Sequence, residues 1–278
     1  MTTEEIVRLA LQEDIGEGDY TTLATVAIGQ KARARLLVKE NGIICGIDIA
    51  RQIFQHLDAS MQFHQILDDG NEVRPGDIGF TLYGDARAIL MGERTALNFM
   101  QRMSGIATQT RNMVKLIEGL PVRLLDTRKT TPLLRQLEKY AVRIGGGFNH
   151  RAGLYDMILI KDNHIDYAGG IAQAIRSVNQ YLQQHQLNLK IEIEVRNFDE
   201  LNQVLKEGQV HRIMLDNFSP DDLMKAVKMI DGRFETEASG GINSQNIRQY
   251  AASGVDFISV GSLTHHIKSL DLSLKADI

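Results

Sequence analysis

The hydrophobic and polar positions of the first hundred residues predict helices and strands in mixed order. Apolar residues on one face of 4–14 predict a helix, and "IDIARQIFQHLD" predicts a second. The alternating stretch 31–46 ("KARARLLVKENGIICG") turns at Asn41-Gly42, which predicts a hairpin. A Pro-Gly turn in "EVRPGDIGFTLYGDAR" precedes another strand. Because no strand–helix repeat is present, this part predicts a compact α+β domain.

A long helical pattern covers about 88–118, and within it Ser104 and Gly105 predict a break or a bend. After this helix the order of predicted elements changes. Short strand-like runs then alternate with amphipathic helical stretches. The runs are "VRLLD" (122–126), "MILI" (157–160), "IEIEV" (191–195), "RIMLD" (212–216), "FETEA" (234–238) and "FISVG" (257–261). Repeated strand–helix units predict parallel strands with crossover connections, in a doubly wound sheet or a β/α barrel. The chain lacks a Gly-rich dinucleotide fingerprint and a GxxxxGK[ST] loop, which favours the barrel.

Composition narrows the class of protein. The 278 residues are 43% hydrophobic and 24% charged, which is typical of a globular chain. A net charge of −4 predicts no general affinity for nucleic acid or for anionic membranes. Cys45 is the single cysteine, so an internal disulfide and a multi-cysteine zinc site are excluded, and its apolar surroundings predict a buried thiol. The acidic N-terminus does not resemble a signal peptide, and no window is long and apolar enough to span a bilayer, so we expect a cytoplasmic protein.

Polar or glycine residues follow every predicted strand of the second part. They are Asp126-Thr127-Arg128-Lys129, Lys161-Asp162-Asn163-His164, Glu192 and Glu194, Asp216-Asn217, Ser239-Gly240-Gly241 and Gly261-Ser262. In a β/α barrel the carboxyl ends of the strands form the active site. Six strands with the same polar ending therefore predict one shared pocket.

Positive charge is concentrated in residues 124–164, which hold seven Lys or Arg and four acids, a net +3 in a chain of net −4. Such a cluster predicts an anion site. Arg128, Lys129, Arg151 and Lys161 are the candidate anion ligands, since arginine binds carboxylate or phosphate bidentately and lysine supplies a point charge. The "SGG" and "GS" stretches can present backbone N–H groups to a phosphate. Cations at i, i+4 and i+8 predict a solvent-facing helix surface instead; they are Arg135, Lys139 and Arg143.

Carboxylates and histidines accompany these cations. Alternation in 191–195 places Glu192 and Glu194 on the same side of the strand. Inward carboxylates need a lysine or arginine partner, or Mg²⁺ with substrate phosphates. His150 and His164 are candidates for acid–base groups or for neutral side chains that hold loops, and their spacing matches no zinc motif.

The stretch "DTRKTTPLLRQLEKYAVRIGGGFNHRAGLYDMILIKDNHI" closely resembles the signature of the quinolinate phosphoribosyltransferase family. The resemblance continues through "LQEDIGEGDYTT", "ERTALNFMQRMSGIAT", "IEIEV", "IMLDNFSP", "EASGGIN" and "ISVGSLTHHIKSLDLSLK", and so covers nearly the whole chain. It implies an α/β fold in which an N-terminal α+β sandwich domain (1–104) is joined to an incomplete β/α barrel (105–264). The tail 265–278 is placed against the first domain.

The activity that the resemblance implies is transfer of phosphoribosyl from phosphoribosyl pyrophosphate to quinolinate, with Mg²⁺ as cofactor. Decarboxylation then gives nicotinate mononucleotide for NAD synthesis. The implied residues for the quinolinate carboxylates are Arg128, Arg151 and Lys161, with His150 lining the site. Arg94 matches an arginine that reaches the neighbouring subunit's site, so a homodimer or a larger oligomer is implied.

The second substrate is matched to a different set of residues. Thr127 and Lys129 are placed on the binding surface, with Lys129 on the phosphoribosyl pyrophosphate side. Glu194 and Asp216 are matched to the ribose hydroxyls and the Mg²⁺ region, which makes them catalytic candidates with Lys129. The implied cradle of the 5′-phosphate consists of Ser239, Gly240, Gly241, Val260, Gly261 and Ser262.

Leu133 departs from the family pattern, which more often has a small residue there, so the geometry of its loop is in question. Three alternatives also remain. The first is a phosphoribosyltransferase of the same fold with another acceptor, either nicotinate or that of a molybdenum-associated homologue. The second is an aldolase-type barrel with Lys161 or Lys129 as a Schiff-base nucleophile. The third is an anion-binding protein without catalysis, for which carboxylates such as Glu194 and Asp216 would be unfavourable.

Overall fold

The computed structural model describes residues 2–277. The helices are α1 (Thr3–Ile15), α2 (Tyr20–Thr25), α3 (Ile47–Leu57), α4 (Ala86–Leu116), α5 (Arg135–Ile144), α6 (Asp162–Ala168), α7 (Ile171–Gln184), α8 (Phe198–Glu207), α9 (Pro220–Ile230), α10 (Ile247–Ala251) and α11 (Ser262–His265). The strands are β1 (Lys31–Val38), β2 (Gly42–Ile43), β3 (Gln62–Gln65), β4 (Glu72–Val73), β5 (Ile78–Asp85), β6 (Arg123–Leu125), β7 (Ile158–Ile160), β8 (Ile191–Val195), β9 (Arg212–Asp216), β10 (Glu235–Ser239), β11 (Phe257–Ser259) and β12 (Leu272–Asp277). Among these described residues, every helix is too short or too polar to cross a bilayer.

Two compact units make up the fold. The first contains the described residues up to Arg111, the segment Thr130–Gly146 and the chain from Leu263 onward. The second contains Asn112–Lys129 and Gly147–Ser262. The domain boundaries 1–104 and 105–264 stay a prediction.

The first unit is built on an antiparallel sheet with the strand order β12-β1-β5-β3. Apolar side chains alternate along β1, so that Ala34, Leu36 and Val38 are buried. The predicted hairpin at Asn41-Gly42 is wrong, because β1 pairs with β12 and β5, whereas β2 pairs only with β4. Strand β1 is eight residues long and β2 only two, so β1 forms more ladder hydrogen bonds with β5 and β12 than it could form with β2.

Helix α4 runs without a break from Ala86 to Leu116, so the predicted interruption at Ser104 and Gly105 is wrong. A Cβ atom at Gly105 would overlap the carbonyl oxygen of Lys268 and lie 3.1 Å from its carbonyl carbon. The glycine therefore permits a close backbone approach inside a continuous helix, at a cost of about 1 kcal/mol in helix propensity relative to alanine.

Helix α5 corrects a further prediction. Lys139 is buried, with 6% of its surface exposed, so the interpretation of its side chain as solvent-facing is wrong; Arg135 is half-buried and Arg143 is exposed. Its neighbour Glu138 is also buried and accepts a hydrogen bond from Nε of Arg102 at 2.8 Å. Polar contacts thus draw part of the charged face of this helix inward, which spacing alone cannot indicate. The predicted burial of Cys45 is confirmed.

The second unit is a parallel sheet with the strand order β6-β11-β10-β9-β8-β7. All six strands predicted between 122 and 261 are present; β8 and β9 have the predicted ends, and the ends of the other four are shifted by one or two residues. Strands β7 to β11 lie side by side in chain order, and β6 pairs with β11. Strands β6 and β7 are the two edges of the sheet and are not paired with each other, so the barrel is not closed. This is the arrangement of an incomplete β/α barrel, as predicted. Its interior strand β8 is buried along its whole length.

Candidate active site

Polar side chains lie at the carboxyl edge of the parallel sheet in the second unit. Because the six strands run in the same direction, the residues that end or follow them meet at one edge. The structure brings most of the predicted site residues to this edge: Thr127, Arg128 and Lys129 after β6, Lys161 after β7, Glu194 in β8, Asp216 in β9, Ser239 with Gly240 and Gly241 at β10, and Val260, Gly261 and Ser262 after β11.

Two arginines lie close together at this edge of the sheet. Burial and the neighbouring guanidinium of Arg128 lower the pKa of Arg151. Nε of Arg128 is buried without a hydrogen-bond partner among the described residues, and Nη1 of Arg151 reaches only the carbonyl of Met157, at 3.4 Å. The repulsion between the two guanidinium groups and the unsatisfied buried N–H are both unfavourable. An anion would reduce both, because it is negatively charged and accepts charge-assisted hydrogen bonds.

The loop that carries Arg151 is fixed by polar contacts with the buried carboxylate of Asp126 and with the ring of His150. The carboxylate of Asp126 accepts hydrogen bonds from Nδ2 of Asn149 at 2.6 Å and from the backbone N–H of His150 at 2.9 Å. Nδ1 of His150 accepts the backbone N–H of Arg151 at 2.7 Å, and its Nε2 lies 2.9 Å from Oε2 of Glu192. Nδ1 is therefore hydrogen-bonded to the loop backbone and Nε2 lies against a buried carboxylate, which favours a loop-holding role for His150.

His164 makes a similar local contact, since its Nδ1 accepts the backbone N–H of Lys161 at 2.9 Å. Nζ of Lys161 lies 2.6 Å from Oε2 of Glu194, and the lysine side chain is 44% exposed. A Schiff-base lysine needs an apolar setting in which it loses its proton. Lys161 is instead partly exposed and lies against a carboxylate, so its surroundings are not apolar, which argues against the aldolase alternative.

Asp216 is held at the end of β9 by its neighbours. Its Oδ1 accepts the hydroxyl of Ser239 at 2.6 Å, and its Oδ2 accepts Nδ2 of Asn217 at 2.6 Å. The turn after β10 has two consecutive glycines with positive φ, +91° at Gly240 and +63° at Gly241. A Cβ atom at Gly240 would overlap the side chain of Asn217 and lie 2.9 Å from its backbone nitrogen. The turn therefore requires glycine at this position to keep the backbone close to Asp216.

A charged cluster inside the sheet was only partly foreseen. Glu192 and Glu237 are fully buried, and Arg212 lies 3.0 Å from Oε2 of Glu237. Burial raises the pKa of Glu192 to about 7, and burial together with the charge of Glu192 raises that of Glu237 to about 7. The alternation of "ETEAS" resembles that of "IEIEV", and this pattern could have indicated Glu237 as a second inward carboxylate.

The remaining predicted residues lie as follows. Arg94 is exposed on α4 in the first unit. Oγ1 of Thr127 accepts the backbone N–H of Lys129 at 3.0 Å, which shapes the turn after β6. Leu133 has a positive φ of 68° and borders a cavity of about 400 Å³ in the first unit, lined mainly by α1 and α4. A leucine in this conformation is unusual, so the departure at Leu133 does coincide with an uncommon loop geometry.

Comparison with known proteins covers nearly the whole chain. The family model described as "Quinolinate phosphoribosyl transferase, N-terminal domain" matches residues 19–104, and that of the C-terminal domain matches residues 106–275. The chloroplastic "Nicotinate-nucleotide pyrophosphorylase [carboxylating]" of Arabidopsis thaliana is 45% identical over 98% of this chain and 82% of its own length. The "Probable nicotinate-nucleotide pyrophosphorylase [carboxylating]" of Bacillus subtilis is 43% identical over 94% of this chain and 89% of its own length.

The fold agrees with this assignment. The solved structure of the nicotinate-nucleotide pyrophosphorylase from Francisella tularensis superimposes with a TM-score of 0.93 at 44% identity, covering 99% of this chain and 96% of that one. With both domain models matched and near-complete coverage by relatives more than 40% identical, the chain belongs to the quinolinate phosphoribosyl transferase family.

Proposed function

We propose that this protein transfers phosphoribosyl from phosphoribosyl pyrophosphate to quinolinate. The transfer releases pyrophosphate, and loss of the 2-carboxylate as CO₂ gives nicotinate mononucleotide, a step of NAD synthesis. The observation that carries the proposal is the pair Arg128 and Arg151, whose half-buried guanidinium groups lie close together at the edge of the sheet, with one buried N–H unsatisfied. Because the chain belongs to this family, we take the anion that these arginines bind to be a substrate of the family's reaction.

Quinolinate carries two neighbouring carboxylates, and this shape suits two arginines with a lysine nearby. Arg128 and Arg151 bind the carboxylates through paired N–H donors, and Lys161 adds a third positive charge. A single carboxylate, as in nicotinate, would leave part of this positive charge without a partner. The set therefore favours a dicarboxylate over the same-fold alternatives that use nicotinate or the acceptor of the molybdenum-associated homologue.

Phosphoribosyl pyrophosphate occupies the other strand ends in this proposal. The backbone around Gly240 and Gly241, with Val260–Ser262 after β11, cradles the 5′-phosphate through N–H groups. Lys129 faces the phosphates as a point charge. Asp216 and Glu194 contact the ribose side, where carboxylates accept hydrogen bonds from hydroxyls.

Cleavage of the bond between ribose C1 and pyrophosphate places positive charge on the ribose ring, as in glycoside cleavage. Carboxylates beside the ring, such as Glu194, stabilise that charge, and the cations stabilise the departing pyrophosphate. The quinolinate nitrogen then forms the new bond to C1. With the ring nitrogen now positively charged, the C2–carboxylate bond breaks, and the electron pair left on C2 takes up a proton.

Mg²⁺ is part of the proposal as cofactor. Glu194 and Asp216 are the residues that would hold it together with substrate phosphates, since oxygen donors in small number are what this ion prefers. Each oxygen of Asp216 accepts one hydrogen bond in the structure, so lone pairs remain for an ion. When bound, the ion supplies charge neutralisation of the pyrophosphate.

A homodimer or a larger oligomer, in which Arg94 enters the site of the neighbouring subunit, also belongs to the proposal, as does a cytoplasmic location. The exposure of Arg94 leaves its guanidinium accessible on the surface of the first unit. Some relatives carry "chloroplastic" or "mitochondrial" in their names, so location differs within the family.

The test mixes the purified protein with Mg²⁺, phosphoribosyl pyrophosphate and quinolinate labelled at the 2-carboxylate. We expect labelled CO₂ and nicotinate mononucleotide to appear together, and only when both substrates are present. If neither product forms while phosphoribosyl pyrophosphate still binds, the acceptor is wrong. Nicotinate and other small acids would then be assayed in place of quinolinate.

A further inference from the structure

The orientation of Arg151 depends on a side chain that lies inside the sheet. Nδ1 of His150 accepts the backbone N–H of Arg151, so this nitrogen carries no proton. In the neutral ring the proton is therefore on Nε2, which lies 2.9 Å from Oε2 of Glu192. The His150 side chain is only 5% exposed and Glu192 is fully buried, so solvent does not substitute for this contact.

A second buried carboxylate also lies close to the imidazole. Oε2 of Glu237 is 3.6 Å from Nε2 of His150. Arg212 lies 3.0 Å from the same oxygen, and its guanidinium carbon is 3.9 Å from the ring centroid of Phe257. Polar contacts therefore connect Arg212 to Glu237, and Glu237 to the His150 ring beside Glu192.

We propose that Glu192 is a positioning residue of the anion site, which acts through the ring of His150 to hold the backbone of Arg151, with Glu237 and Arg212 as its support. The inference rests on the proposed function, since the anion that Arg151 binds is taken to be quinolinate. Glu192 touches no substrate in this arrangement. It fixes the tautomer and the plane of the imidazole, as an outer carboxylate does for a histidine in many sites.

A metal ion is the competing explanation for this cluster. Ligand atoms of His150, Glu192 and Glu237 lie within 4.8 Å of one another. The guanidinium of Arg212 already pairs with Glu237, and a second positive charge at this point would be repelled. A nitrogen ligand in a buried site is also outside the preference of Mg²⁺ for oxygen. The observations therefore favour a direct contact between the imidazole and the carboxylate of Glu192, at 2.9 Å, over a bound metal ion.

The test measures the dissociation constants of quinolinate and of phosphoribosyl pyrophosphate by calorimetry. We expect Glu192→Gln to weaken quinolinate binding about tenfold, because the close contact with Nε2 of His150 loses its negative charge, and to change phosphoribosyl pyrophosphate binding less than twofold. Glu235→Gln is the matched control, because Glu235 contacts the same Arg212 at 3.2 Å but is not near His150 in the contacts described. It should leave both constants within twofold.

A double-mutant cycle separates positioning from a general structural role. If Glu192 acts through Arg151, adding Glu192→Gln to Arg151→Ala should weaken quinolinate binding less than twofold further. Equal weakening in both backgrounds, or equal weakening of both ligands by the single variant, would overturn the proposal. So would a stoichiometric metal that the wild type retains and Glu192→Gln loses.

A second measurement does not depend on quinolinate. Nitrogen chemical shifts of the His150 ring, assigned by comparison with His150→Gln, should show a protonated Nε2 and an unprotonated Nδ1 in the wild type. If quinolinate does not bind to the wild type, the proposed function fails, while this spectrum still tests the positioning. A ring protonated on Nδ1 would overturn the arrangement, whatever the acceptor is.

Discussion

Lys161 and Glu194 form an ion pair across neighbouring parallel strands, with Nζ 2.6 Å from Oε2. The glutamate is 9% exposed and the lysine 44%, so the pair lies at the boundary between the sheet interior and the open edge. An incoming anion must therefore share Lys161 with Glu194. The pair links the cationic part of the site to the carboxylates expected beside the ribose.

Glu194→Gln should separate binding from turnover. Removing the charge takes away stabilisation of the positive ribose in the transition state, so we expect kcat to fall about a hundredfold. Quinolinate affinity should stay within about twofold or improve, because Lys161 is no longer held by a carboxylate. Steady-state kinetics and calorimetry check the two effects. Glu207→Gln, in the exposed pair with Arg176, is the control, and an unchanged kcat in Glu194→Gln would remove Glu194 from catalysis.

Arg128→Ala should abolish measurable quinolinate binding and spare phosphoribosyl pyrophosphate binding. Arg128→Lys should restore little, because an ammonium cannot make the paired contacts of a guanidinium. Calorimetry with each ligand checks this prediction. Arg176→Ala removes an exposed arginine and should bind both ligands normally. Unchanged quinolinate affinity in Arg128→Ala would exclude Arg128 as a carboxylate ligand.

Gly240→Ala and Gly241→Ala should differ, although the two glycines are adjacent and both have positive φ. A Cβ at Gly240 overlaps Asn217, whereas a Cβ at Gly241 has no atom within 4 Å. We expect Gly240→Ala to raise KM for phosphoribosyl pyrophosphate at least tenfold and Gly241→Ala to raise it much less. Equal increases in KM would show that the effect comes from backbone strain at positive φ and not from the contact with Asn217.

Glu237→Gln should change how stability depends on pH. The pKa of Glu237 is raised from 4.5 to about 7 in the folded protein, so folding favours its protonated form. That stabilisation is complete below pH 4.5 and is lost as the pH rises through 7. The stability of the wild type should therefore fall relative to that of the variant as the pH rises from 5 to 8.

Chemical denaturation at constant ionic strength over this pH range measures that difference. Glu235→Gln removes the exposed carboxylate next to the same arginine and should show a smaller change. A difference between Glu237→Gln and the wild type that is independent of pH would contradict the prediction.

Leu133→Gly should alter stability by less than about 1 kcal/mol while leaving activity unchanged. The substitution relieves the cost of a positive φ at a leucine but adds conformational entropy to the unfolded chain, and these terms are of similar size. Thermal unfolding and the kinetic assay check both points. Leu134→Gly, at a neighbouring position with a negative φ, should be destabilising by comparison.

Much of the fold could be predicted from local pattern. The six strands of the second unit were found because buried parallel strands read as short apolar runs between amphipathic helices. The strand ends supplied the candidate ligands, since Arg128, Lys161 and Asp216 each follow or end such a run. The hairpin at Asn41-Gly42 and the break at Ser104 and Gly105 were wrong because their outcome depends on distant partners, β12 in one case and the backbone of Lys268 in the other.

The sequence by itself determined the strand–helix rhythm, the sign of the charge at the strand ends and the family, because each of these is written in neighbouring residues. Only the tertiary structure decided that Lys139 is buried, that Glu194 pairs with Lys161 and that Glu192 and Glu237 both lie within 4 Å of the His150 ring. These contacts join residues from different strands, helices and loops. Their energies depend on burial and on distances of about 3 Å, which the register of the folded sheet sets and a linear pattern does not contain.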